Sequence, residues 1–151
     1  MGQVVTFYSY KGGVGRSLAL ANCGVILARF GYRVLMIDWD LEAPGLEHFF
    51  SEFLAPEDLA DSPGVIDVLG FGHDEVSDRE LRCPWQDASI DLEIPGLEGG
   101  TLQLITCGRC DENYHRRVHT MNLRLYFEEE QGGEFIERLR NEWKAAFDFI
   151  L

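Results

Sequence analysis

The chain opens on Val4-Val5-Thr6-Phe7-Tyr8, a run of β-branched and aromatic residues that predicts a strand. Ser9 to Gly15 is glycine-rich. Ser17 to Phe30 is apolar almost all round, through Leu18, Ala19, Leu20, Ala21, Val25, Ile26, Leu27 and Ala28, with Asn22 as a polar break. That pattern predicts a helix buried on several sides. Arg29 in its last turn and Gly31 just beyond it mark a C-terminus. Arg33 to Asp38 is then an apolar strand that closes on an acid. Strand, helix and strand within about 35 residues form a βαβ unit, which implies a parallel sheet with a right-handed crossover.

Further along, Leu46 to Leu54 predicts a short helix, Pro63 to Leu69 a second and Asp74 to Leu81 a third. Ile90 to Ile94 and Leu102 to Thr106 read as strands joined through Pro95 to Gly100. Met121 to Glu130 and Glu134 to Ala146 read as helices split at Gly132-Gly133, and Phe147 to Leu151 as the start of a strand. The expectation is one α/β domain over residues 1–151 with an α-rich insertion at about 41–90.

Composition narrows the functional classes. The 151 residues suffice for one domain with a core, and 46% hydrophobic residues favour folding over disorder. A formal net charge of −13 disfavours non-specific binding to DNA or to anionic membrane, which needs a basic footprint. No secretory signal or bilayer-length apolar run is present, and four scattered cysteines do not build a disulfide scaffold, so a cytoplasmic setting is expected.

The candidate chemistry lies in Lys11-Gly12-Gly13-Val14-Gly15-Arg16-Ser17, between the first strand and the first helix. Successive backbone amides of such a loop can curl around phosphate oxygens, with glycine permitting both the turn and the close approach. The following helix adds its positive N-terminal end. Ser17, in the first turn, can reach a magnesium ion on the phosphates. A dinucleotide fingerprint, G-x-G-x-x-G, fails because Leu18 stands at the third glycine position, although Asp38 sits where a ribose-binding acid would. The ordinary Walker A pattern fails twice, at Tyr10 and at Arg16. A glycine-rich turn used only for packing is the bland alternative. Asp38 alone would then be an ordinary strand-end acid and Asp40 an ordinary helix cap.

The run resembles the deviant Walker A motif, K-G-G-x-G-K-[ST], of the ParA/MinD family of P-loop ATPases, with Arg16 for lysine as the one departure. Val34 to Asp40 resembles the family's apolar strand ending in D-x-D. Asp38 to Leu46, DWDLEAPGL, is similar to a bacterial subgroup with the same K-G-G-V-G-R-S loop. The resemblance is strong over residues 3–46 and looser over 102–151. It implies a P-loop NTPase-like α/β fold, a mostly parallel sheet flanked by helices. It also implies a domain that binds ATP and Mg²⁺, forms a nucleotide-dependent homodimer and hydrolyses ATP to control an unidentified protein partner. Residues Lys11, Gly12, Gly13, Val14, Gly15, Arg16, Ser17 and Leu18 would hold the nucleotide. Lys11 would reach across to the partner's nucleotide, Arg16 would grip phosphate and Asp40 would orient the attacking water. Ser17 would ligate Mg²⁺, with Asp38 behind its water shell. Arginine is longer than lysine and permanently charged, and it can fork two donors onto phosphate, so binding can survive the exchange. A nucleotide-sensing interaction module without useful hydrolysis is the alternative.

Cys107-Gly108-Arg109-Cys110 raises two other possibilities, a redox pair or, with His115 and His119, a zinc-stabilised binding module. Glu128-Glu129-Glu130 reads as a solvated helix end, and Tyr8, Tyr10, Trp39, Trp85 and Trp143 as core or interface aromatics. In the family, the strand similar to Phe147 to Leu151 ends in an Asp that completes the magnesium site, and this chain stops before one. The resemblance therefore implies a domain incomplete on its C-terminal side. It also implies that the last residues pair in parallel with Val4 to Tyr8, beside the strand ending in Asp38, and leave the first strand with one bare edge.

Overall fold

The computed structural model describes residues 1–11, 13–55, 59, 62–71, 82–128 and 131–151. The elements are β1 (Gln3–Val4), α1 (Arg16–Arg29), β2 (Arg33–Ile37), a 3₁₀ turn (Leu46–Phe50), α2 (Val65–Leu69), β3 (Ser89–Asp91), β4 (Thr101–Ile105), α3 (Tyr114–Thr120), α4 (Leu123–Glu128), α5 (Gly132–Ala146) and β5 (Phe149–Ile150). One sheet joins the strands in the order β1-β5-β2-β4-β3. The strands β1, β5, β2 and β4 run parallel, and β3 closes the far edge antiparallel to β4. The terminal strand thus lies between β1 and β2, as the resemblance implies.

The central strand β2 explains the layering. Its residues Val34 to Ile37 are all buried, and successive side chains enter opposite layers. Val34 and Met36 join Leu102, Leu104, Ala21, Ala28 and Phe50 on the α1 side. Leu35 and Ile37 join Ile105, Ile66, Tyr126, Leu139 and Trp143 on the side of α2 and α5. Gly24 lets α1 approach the sheet closely, because a Cβ there would lie 2.5 Å from Met36 Sδ.

Several local expectations change in the folded chain. The first strand is only two residues long. Its ladder ends where the Val5 amide donates to Ile150 O at 2.8 Å, so Thr6 to Tyr8 leave the sheet and Tyr8 stands 81% exposed. Strand propensity does not extend a strand beyond its partner. The first helix is covered on one side: Ala21, Gly24 and Ala28 are buried, while Leu18, Ile26 and Phe30 are exposed. An all-apolar helix specifies that it wants cover, not which neighbours supply it. Gly132-Gly133 does not split two helices but forms the first turn of α5. Gln131, in the left-handed region at φ 57°, is the N-cap of that helix, and Gly132 packs so closely on Tyr126 that a Cβ would sit 2.2 Å from its ring. The helix α3 was not anticipated, because its sequence YHRRVHT is mostly polar. Arg117 anchors it instead, donating to Asp67 Oδ1 at 3.2 Å and to Arg109 O at 2.9 Å. The segment Leu46 to Leu54 contributes a 3₁₀ turn rather than a longer helix. The expected helix over Asp74 to Leu81 lies outside the described residues, as do Glu129 and Glu130.

The start of β5 is pinned to β2 by a clamp. Arg33 donates through Nε and Nη2 to the two carboxylate oxygens of Asp148, at 3.2 and 3.0 Å, and its amide donates to Oδ2 at 2.9 Å. These hydrogen bonds hold the Asp148 carboxyl down at about 2, below its ordinary value of 3.8. A depressed carboxylate contributes stability above its unfolded value and loses it as pH falls through the folded one. Thermal melts across acid pH should therefore show Asp148→Asn less stable than wild type at about pH 6. The two should converge near pH 2, with a modest difference because the pair is exposed. Parallel melting curves at every pH would show that the clamp does not stabilise the fold.

Candidate functional site

The glycine loop emerges from β1 at the C-terminal edge of the sheet. Gly13 and Gly15 hold φ of +72° and +78°, left-handed values that a side chain would strain. Gly15 is the N-cap of α1 and provides no side-chain cap, and no acid occupies the helix's first turn. Among the described residues no backbone carbonyl accepts from the amides of Gly13 to Leu18. The first bond of the helix is the one donated by Ala19 to Gly15 O at 2.9 Å. Unspent amides around left-handed glycines and an uncompensated helix start are features that favour a nearby anion. Val14 and Leu18 are exposed there. Lys11 is exposed at the loop's front, and Gly12 lies outside the described residues.

Facing the loop is the segment after β2. Asp38 is buried, and its carboxylate accepts from three amides: Asp40 at 3.0 Å, Gly45 at 3.1 Å and Leu46 at 3.0 Å. These bonds curl residues 38–46 into a tight loop. Two further groups hold it from behind. The Cys107 thiol donates to Asp38 O at 3.2 Å, and the Tyr114 hydroxyl donates to Leu41 O at 2.9 Å. The curl carries Asp40 back to the glycine loop, where its Oδ2 accepts from Arg16 Nη2. Arg16 Nη1 also reaches Ser9 Oγ at 3.5 Å, and that hydroxyl donates to Lys11 O at 2.8 Å.

A cavity of about 400 Å³ opens at this point, with Arg16, Ser17, Asp38 and Asp40 in its wall and Trp39 and Tyr8 at its side. Of the residues singled out in the sequence, Arg16, Ser17, Asp38 and Asp40 are drawn together in the cavity wall, whereas Lys11, Gly13, Val14, Gly15 and Leu18 lie outside it. Ser9 and Tyr114 were not singled out, and Cys107 was singled out for redox or zinc chemistry rather than for its bond to Asp38 O. Ser9 had a signal, its place just ahead of the glycines. The other two act across the fold, 69 and 73 residues from their partners.

Comparison with known proteins decides the family. A model of the CobQ/CobB/MinD/ParA nucleotide binding domain matches residues 5–144. The chain belongs to this family. The ParA/MinD-family domain shares 47% identity over 45 residues with a putative septum site-determining protein MinD of Nephroselmis olivacea, which is 30% of the chain and 16% of that protein. It shares 34% over 74 residues with the sporulation initiation inhibitor protein Soj of Bacillus subtilis, 46% of the chain and 29% of Soj. Among solved structures, the chimerical protein CapA2B2 superposes at a TM-score of 0.62 with 20% identity, over 99% of this chain and 51% of that one. The pNOB8 ParA bound to nonspecific DNA superposes at 0.60 with 21% identity, over 100% and 45%. These two show the fold alone. The chain spans about half the length of the two solved structures, and its matched stretches cover under a third of the curated relatives. The domain has the mixed α/β fold of P-loop NTPases, a mostly parallel sheet flanked by helices. No described helix is long and apolar enough to cross a membrane.

The C-x-x-C segment of the ParA/MinD-family domain gathers no metal site. Among the described residues no three His, Cys, Asp or Glu side chains converge on one point, and His115 and His119 are exposed on α3 while Cys107 is buried. Burial, then the nearby Asp38 carboxylate, pushes the Cys107 thiol far up, so it stays protonated. That is the opposite of a redox nucleophile. Titration of the native protein with a thiol reagent near neutral pH should leave Cys107 unmodified until the chain is unfolded. Early modification of Cys107 would overturn its place as a buried donor to Asp38 O.

Proposed function

We propose that this chain is an ATP-binding and ATP-hydrolysing switch domain of the ParA/MinD type. Magnesium-bound ATP would drive a homodimer, and hydrolysis would control the binding of a protein partner. What carries the reading is one juxtaposition: a left-handed glycine loop with unspent amides runs directly into Arg16 and Ser17, which share the wall of a single cavity with Asp38 and Asp40. The residues present suit a nucleotide phosphate chain. The amides from Gly13 to Leu18 would take its oxygens, and Arg16 would add charge-assisted donors. Ser17 would ligate Mg²⁺, with Asp38 behind the ion's waters. Asp38 already accepts three amides, and two carboxylate oxygens offer about four acceptor sites, so capacity remains. Gly12 would complete the loop, Asp40 would orient the attacking water and Lys11, exposed at the front, would reach a facing subunit. When bound, the nucleotide supplies a phosphoryl group whose transfer needs little from the protein beyond position and neutralised charge. The K-G-G-V-G-R-S loop followed by DWDLEAPGL supports placing it in the subgroup that shares both. Four free thiols support a reducing compartment such as the cytoplasm. The net charge of −13 argues against DNA or membrane as the direct partner of this segment.

A nucleotide-sensing module without useful turnover is the second reading. It is favoured by arginine in place of the phosphate-gripping lysine, and by the pairing of that arginine with Asp40, the acid needed for water. ATP turnover measured beside affinity separates the two.

Arg16→Ala should weaken ATP binding about 10- to 150-fold, the loss of a charge-assisted contact worth ~1.5–3 kcal/mol, and Arg16→Lys should retain most of it. Titration calorimetry checks this, and unchanged affinity in the alanine variant would remove Arg16 from the site. Lys11→Ala should reduce ATP-dependent dimerisation, read by sedimentation, and turnover far more than it reduces nucleotide affinity. Wild-type turnover by a protein that sediments as a monomer throughout would end the role assigned to Lys11 across the dimer.

A further inference from the structure

We propose that Asp40 is an internal competitor for the phosphate site. In the empty domain its carboxylate holds the Arg16 guanidinium where a phosphate would, and a ligand reaches Arg16 only by displacing it. This inference rests on the reading of the glycine loop as a nucleotide site and adds a device that sets its affinity and timing.

The argument starts from what Arg16 does when nothing else is bound. Its Nη2 donates to Asp40 Oδ2 and its Nη1 to Ser9 Oγ, so two separate nitrogens of one fork are in use. Ser9 Oγ in turn donates to Lys11 O, which ties the fork to the front of the loop. A guanidinium presents distinct nitrogens to two partners at fixed angles, and the single nitrogen of a lysine does not. Arginine at this position is thus explained by the empty state as well as by the bound one.

The contact is built to give way. The two side chains retain 29% and 32% exposure, so water screens the pair and its strength stays in the range of partly exposed ion pairs. A phosphate brings more charge than one carboxylate, and it also takes the loop amides, which Asp40 does not. Displacement asks little of the backbone. The Asp40 amide is fixed to Asp38 Oδ1, and Asp40 O accepts from Ala43 at 3.1 Å. The carboxylate can turn away while the loop keeps its curl. The acid assigned to the attacking water is therefore released by the arrival of the group to be attacked. A ligand with no phosphate at Arg16 leaves it engaged.

Trp39 reports on this directly. It neighbours Asp40 and is 45% exposed, whereas Trp85 and Trp143 are 8% and 6% exposed. The test is a double-mutant cycle on ADP affinity with Mg²⁺ present, measured by calorimetry, with tryptophan emission as a second readout. Asp40→Asn should bind ADP about two- to fivefold more tightly than wild type, since the competitor is gone. In an Arg16→Ala background the same change should give no gain. Without nucleotide, Asp40→Asn and Arg16→Ala should each move the emission toward the value wild type reaches with ADP, and Trp39→Phe should abolish that movement. An equal gain in both backgrounds would overturn the latch in favour of simple repulsion between Asp40 and phosphate. No gain in either background overturns it too, as does emission unmoved by both substitutions. Failure of wild type and every variant to bind ADP would instead overturn the nucleotide reading, and displacement with it.

Discussion

The carboxylate of Asp38 is the contact on which the site depends. It sits buried at the end of β2, where an unpaired charge would be costly, and it is satisfied by three amides of the segment that follows. The same residue completes the sheet, since its own amide donates to Ile105 O at 2.9 Å and its carbonyl accepts the Cys107 thiol. One residue thus joins the end of the central strand and its neighbour β4 through its backbone, and the loop that turns back toward the glycines through its side chain. Without the curl that Asp38 imposes, Asp40 would have no reason to lie against Arg16.

The electrostatics of the site follow from that curl. An acidic chain would ordinarily repel a polyanionic ligand, and the glycine loop counters this with backbone dipoles rather than with net charge. Arg16, at the helix start, and Arg140 are the cations among the described residues of the cavity wall, and Arg16 is paired with Asp40. The arrangement favours ligands that bring concentrated charge together with several oxygen acceptors.

Much of the parallel core was legible in the residues. The strand β2 is apolar at every inner position and ends on an acid, and it falls within one residue of its expected span. So do β4 and the start of α1. The glycine loop, its hydroxyl and the two acids were legible as a group because motif spacing encodes local geometry. Other elements were not. Helix α3 is held by Arg117, whose partners Asp67 and Arg109 lie on other segments, so no apolar period betrays it. Thr6 to Tyr8 have strand composition, but β1 stops where the hydrogen bonds to β5 stop. Gly132 looked like a breaker and is a packing glycine, required by the ring of Tyr126 across the helix start.

By itself, then, the sequence determined the βαβ order, the positive-φ glycines ahead of an uncapped helix and the chemical types available at the loop. These depend on backbone stereochemistry and short-range periodicity, which are written in adjacent residues. Only the tertiary structure decided that Asp38 would fold its own loop, that Cys107 and Tyr114 would brace it from 69 and 73 residues away, and that Arg16 would meet Asp40. Those contacts close long stretches of chain. They form because the packed sheet has already brought their backbones together, and no local pattern carries that information.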